Sequence, residues 1–209
     1  MKKIFTTLLI LTGIYSVSHA QKKGDMAYGV SVGLNSAYAV SGNANSSSTD
    51  SRLGPNFAFH AEYYLSDQWS IKGEAIYDKK GWGGLYNDAQ KNLTISNVNY
   101  ALNYITIPVL ATWHIGAEKL WYVNAGPYVG ILLSAKNDYN NADDKAKYNT
   151  IDAGANLGLG IQFPLSYKST RTKIFFEYNW QIGAANISAV SSTNTATLMR
   201  QALSAGIRF

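Results

Sequence analysis

Groups able to act as nucleophile, base or metal ligand are sparse in this 209-residue chain, which has no cysteine and three histidines. His19 lies in the leader-like first stretch, while His60 and His114 are embedded in segments where apolar and polar residues alternate. A hydroxyl nucleophile needs a base within hydrogen-bond reach, and the serine run Ser46 to Ser48 sits in a polar stretch that, like the other long polar stretches, holds no histidine. The pattern argues against an enzyme, and nothing in it asks for a cofactor. The segment KNDYNNADDKAKYN offers Asp138, Asn140, Asp143 and Asp144 as oxygen ligands for calcium. It lacks the glycine and closing glutamate of an EF-hand loop, so it reads as a solvated loop and no metal is expected.

The titratable residues that do form a pattern flank the short segment Ser66 to Gln68. With a tight turn centred on Asp67, Glu62 faces Lys72 and His60 faces Glu74, all on one face, as opposite charges pair across strands. Asp78 shares that face, and Glu177, Arg200 and Arg208 fall at equivalent positions of later segments. The chemistry expected of this set is an interior network of ion pairs and hydrogen bonds; the functional alternative is a proton or small-ion pathway.

The elements that would position these residues are strands, because the apolar residues recur with a period of two. Eight such segments are expected, at 28–40, 56–65, 69–79, 100–115, 120–133, 151–163, 173–183 and 197–209. The connections 41–55, 80–99, 134–150 and 184–196 are long and polar, whereas 66–68, 116–119 and 164–172 are shorter. Loops segregated to one side, with both chain ends on the turn side, predict an all-β, eight-stranded antiparallel up-and-down transmembrane β-barrel. Trp121, Val123, Ala125, Pro127, Val129, Ile131 and Leu133 make one continuously apolar face, which lipid would cover; Asn124, Gly126, Tyr128 and Gly130 line the other. A soluble lipocalin-like barrel would invert these faces.

Aromatic residues collect at membrane interfaces. Trp69, Trp113 and Trp121 border short turns and are expected at the periplasmic rim, with Tyr38, Tyr77 and Trp180 toward the loop side. Pro108 and Pro127 interrupt adjacent strands at nearly the same height, where a bulge or local widening is expected. Residues 1–20, with Lys2, Lys3, an apolar run and Ser18-His19-Ala20, have the form of a cleavable signal peptide, leaving 21–209 as the barrel. The net charge of +5 is spread rather than gathered into a stripe, which argues against nucleic acid as a partner.

The segments NYITIPVLATW, LWYVNAGPYVGILLSAK, IDAGANLGLGIQF and FFEYNWQIGAANIS, with a last strand ending in Phe209, resemble the PorT-like outer-membrane β-barrel family of Bacteroidetes across essentially the whole of 21–209. The resemblance implies an eight-stranded barrel in the outer membrane of a diderm bacterium, with loops outside and both termini in the periplasm. It also implies contact with outer-membrane lipid, assembly through a terminal aromatic signal read by barrel-assembly machinery, and partners among envelope or secretion complexes such as the type IX system. It carries no catalytic residues. The expected role is a non-catalytic scaffold whose loops contact a partner or matrix. A narrow channel or lateral transport element is the first alternative, and a soluble ligand-binding barrel the second.

Overall fold

The computed structural model describes residues 23–42, 49–88, 93–139, 143–166, 169–190 and 195–209. The expected signal peptide, Ser46 to Ser48 and Asn140 lie outside them. Eight strands, β1 (Met26–Ser41), β2 (Asp50–Tyr64), β3 (Trp69–Asp88), β4 (Leu93–Ile115), β5 (Trp121–Asn137), β6 (Ile151–Ser166), β7 (Ser169–Gly183) and β8 (Ala196–Arg208), pair antiparallel in sequence order. β8 pairs with β1, so the sheet closes on itself and leaves no edge. Among the described residues no helix is long and apolar enough to cross a membrane. A closed barrel crosses with strands instead, since every backbone group is bonded within the sheet.

The loops are shorter than expected, because β2 begins at Asp50, β3 and β4 meet near the middle of the expected 80–99 loop, and β5 runs on to Asn137. The glycines of GWGG and the polar alternation of TISNVNY conceal a strand pattern that lies beyond the apolar band. The β4–β5 turn is tight, with Gly116 at φ +82° and Lys119 at φ +53°, left-handed values that glycine adopts without strain.

The register fixes the shape. A row of paired residues beginning at Met26 passes through Tyr63, Ile71, Ala111, Ala125, Leu157, Trp180 and Gln201 and returns to β1 at Ser36, ten residues further along. Such a stagger belongs to strands tilted about 40°, so each residue climbs roughly 2.5 Å along the axis and each step to the next strand roughly 3 Å. The outer face is apolar, with Val30, Val32, Leu34, Phe57, Phe59 and Leu203 each more than half exposed. Glu62, Lys72, Asp78, Asp152, Arg200 and Arg208 are buried inside. The soluble lipocalin-like alternative required the opposite facing.

Of the bulge or local widening expected at Pro108 and Pro127, the register shows no bulge, and the ladder is instead interrupted over Val109 and Leu110. Pro108 still faces Tyr128 and Ala111 still faces Ala125, with no shift of register between them. The strands stay close because position 126 is glycine: a Cβ there would lie 2.0 Å from the Val109 carbonyl oxygen. The irregularity of this hairpin lies higher, between Asn103 and Tyr104, where Leu133 is the extra residue on β5.

Candidate functional site

The lumen is filled by three charged layers. Nearest the turn end, Glu62 sits 3.0 Å from Arg208 and 2.9 Å from Nε2 of His114, and it accepts a hydrogen bond from Ser70. Arg208 also donates to Gln162 at 2.9 Å and lies over the rings of Tyr122 and Phe175. In the middle layer Lys72 bridges Glu74 at 2.8 Å and Glu177 at 2.7 Å, and Asn124 and Asn179 donate to Glu177. Toward the loop end, Arg200 pairs with Asp78 at 2.8 Å, Asn35 donates to Asp78, and Lys80 pairs with Asp152 at 3.2 Å, which Tyr128 also contacts.

Removing one partner of such a buried pair costs about 3–5 kcal/mol, because the other charge is left uncompensated. The neighbouring wall is shaped to admit the large groups: a Cβ at Gly160 would come within 2.1 Å of the Tyr122 ring. An internal cavity between Asn56, Glu74 and Arg200 measures about 20 Å³, room for about one water.

An apolar cluster closes the loop end. Leu102, Tyr104, Leu132, Ala135, Ile187 and Leu198 are buried together, with Trp82, Tyr100 and Tyr148 packed against them. Ile187 reaches this position because the β5–β6 and β7–β8 connections are bonded to each other: Asn149 N–H donates to the Ile187 carbonyl, and Ala189 N–H to that of Lys147, both at 2.9 Å. Asp144 is held by Asn137 and Lys147, and Asp138 by Asn99. Asp138 and Asp144 are thus held by local contacts and Asp143 accepts the Lys145 backbone N–H; no metal-binding cluster occurs among the described residues.

His60, Glu62, Lys72, Glu74, Asp78, Glu177, Arg200 and Arg208 therefore all line one lumen, but the partners differ from those expected. Glu62 and Lys72, and His60 and Glu74, are register neighbours. Yet Lys72 reaches Glu177 across the barrel, Glu62 reaches Arg208, and His60 packs edge-on against Phe175 with ring centroids 5.2 Å apart. Long side chains in a narrow lumen lean across it rather than along the wall. Sequence reasoning left out Lys80, Asp152, Ser70 and His114. Lys80 and Ser70 share the even-numbered face of Lys72: Ser70 lies within the expected strand 69–79, and Lys80 is one residue beyond its expected end.

On the outer face, Trp69 pairs and stacks with Trp113, ring centroids 6.1 Å apart. The register places Trp69, Trp113 and Trp121 within roughly 3 Å of one height at the turn end. Tyr77 and Trp180 lie roughly 15–20 Å above that rim and Tyr38 roughly 25 Å above it. They are a scattered set rather than a second ring.

The fold recurs among solved structures. The outer membrane protein OprG from Pseudomonas aeruginosa is 11% identical, with a TM-score of 0.50, covering 91% of this chain and 99% of its own. Outer membrane protein AlkL in lipid bilayers is 12% identical, with a TM-score of 0.50, covering 93% and 94%. Ail, the attachment invasion locus protein of Yersinia pestis, is 15% identical, with a TM-score of 0.46, covering 88% and 99%. At these identities the likeness is one of fold alone. No curated protein matches the sequence. With the closed eight-stranded barrel, its apolar outer wall and its charged interior in place, the match of residues 19–187 to the model of the outer membrane protein beta-barrel domain completes the assignment: the chain belongs to that family of outer-membrane barrels.

Proposed function

We propose that this protein is a non-conducting scaffold whose long-loop end faces outward from the cell, with both strand termini in the periplasm, and whose work is done by contacts of that end with a partner or matrix. The observation that supports this reading is the stacking of three ion-paired layers beneath an apolar cluster at the loop end, which together fill the described lumen with side chains. An eight-stranded barrel has an interior only wide enough for side chains to fill it. The cross-bonded connections give the loop end a defined shape, with Tyr139 and Val190 exposed on it. Purified barrel reconstituted in planar bilayers is expected to show no reproducible conductance, and a stable open channel would overturn the reading. A cysteine placed at Val190 is expected to react with a membrane-impermeant reagent on intact cells; reaction only after lysis would reverse the orientation.

The PorT-like resemblance supports a link to secretion or surface assembly, the leader at 1–20 supports export, and Phe209 supports recognition by barrel-assembly machinery. A second reading, a lateral route for a hydrophobic ligand, draws on the ladder interrupted between Pro108 and Ala111. The closeness of Gly126 to Val109 speaks against a standing opening there.

A further inference from the structure

The outer wall carries a groove across β2 to β5, with Ala101 and Asn103 between Arg52, Lys79, Lys136 and Asp138. Counting along the register, Lys79 stands roughly 23 Å above the tryptophan rim and Lys136 roughly 35 Å above it. The lipid-facing apolar band of such barrels is about 25 Å tall. The groove therefore begins where the hydrocarbon ends. Just below and beside it, Tyr77 and Leu53 are exposed, Leu53 to 71%, so apolar and cationic surface meet at one level.

The cations are largely uncommitted. The Arg52 side chain lies across Gly81, whose Cβ would sit 3.3 Å from the arginine Cδ. Its Nη1 is buried with no hydrogen-bond partner among the described residues, a costly condition for a charged donor. Lys79 and Lys136 form no ion pair among the described residues. The one carboxylate in the groove, Asp138, is already occupied: Asn99 donates to Oδ1 from its backbone N–H at 2.9 Å and to Oδ2 from its side chain at 2.8 Å. Those Asn99 bonds, with a contribution from the Arg52 charge, hold the Asp138 carboxyl below its ordinary range. Three cations face one engaged anion at headgroup height.

We propose that this groove binds the phosphate groups of an outer-leaflet glycolipid, its acyl chains against Leu53 and Tyr77 and its phosphorylated headgroup against Arg52, Lys79 and Lys136. The inference rests on the orientation given above, which labelling at Val190 tests separately. Arginine engages phosphate in a planar fork and lysine as a point charge, and each cation near an anionic lipid surface adds to the attraction. A lipid bound here would fix the barrel's height in the leaflet.

The test is native mass spectrometry of the purified full barrel incubated with a diphosphorylated lipid A, with the same lipid dephosphorylated, and with inorganic phosphate. The native chain should retain the diphosphorylated lipid about tenfold or more over the dephosphorylated one. R52Q/K79Q/K136Q should lose that preference while keeping its heat-shifted gel migration. Equal retention of both lipids by the native chain, or an undiminished preference in the triple variant, would overturn the proposal. Full displacement of the lipid by equimolar inorganic phosphate would reduce the groove to a general anion site and likewise overturn it. Should the triple variant fail to fold, K79Q/K136Q and the comparison of headgroups on the native chain still decide the matter.

Discussion

Lys72→Met is expected to lower the stability of the closed barrel by about 3–5 kcal/mol, read as an earlier loss of heat-shifted migration and a lower urea midpoint in lipid micelles. Lys72 is fully enclosed and is the cation between Glu74 and Glu177. Methionine matches its length but leaves two buried carboxylates facing each other without their cation. The triple variant K72M/E74Q/E177Q removes both orphaned charges and is expected to recover most of the loss, because replacing a buried ionic group as a whole is often neutral. A loss below about 1 kcal/mol for Lys72→Met, the range of exposed pairs, would mean that the layer is solvated and would weaken the case for a sealed lumen.

Gly126→Ala is expected to be among the most damaging single-methyl additions in the wall. Its Cβ would meet the Val109 carbonyl oxygen at 2.0 Å and the Leu110 Cα at 3.1 Å, and these are backbone atoms that cannot rotate away. The β4–β5 hairpin would have to part beside two prolines that already lack donors, at a cost of roughly 3 kcal/mol or more. Gly73→Ala is the control, since a Cβ there meets nothing within 4 Å. It is expected to leave stability unchanged or raised by roughly 0.5–1 kcal/mol. Equal migration and equal urea midpoints for the two variants would remove the argument that position 126 sets the strand contact.

Much of this architecture is legible in the sequence because lipid imposes a strict rule on one face only. The alternation in β5 and β6 assigns Trp121 through Leu133 and Ile151 through Phe163 to the outer wall without knowledge of any contact. The same rule fades where the strands leave the hydrocarbon: residues 81–88 and 93–99 continue β3 and β4 with no apolar stripe to betray them. The interior residues were legible as a face but not as pairs. Whether Glu62 meets Lys72 or Arg208 depends on how eight tilted strands stagger, and that stagger of ten is a property of closure, not of any local segment. The apolar cap was illegible for the same reason, since Ile187 in a polar connection acquires its meaning only over the mouth of a finished cylinder.

The seam between β1 and β8 has a consequence for how the molecule comes into being. Gly29 pairs with Arg208 and Ser41 with Ala196, so the first strand made waits for the last before either is satisfied. Until β8 arrives, the chain is an open ribbon with two unbonded margins and a greasy back, the form most prone to stick to its own kind. The Arg208 guanidinium that locks onto Glu62 travels on that final strand. Closure of the ring and neutralisation of its lowest charged layer are thus a single event, and a chain halted before β8 would be both unsealed and uncompensated.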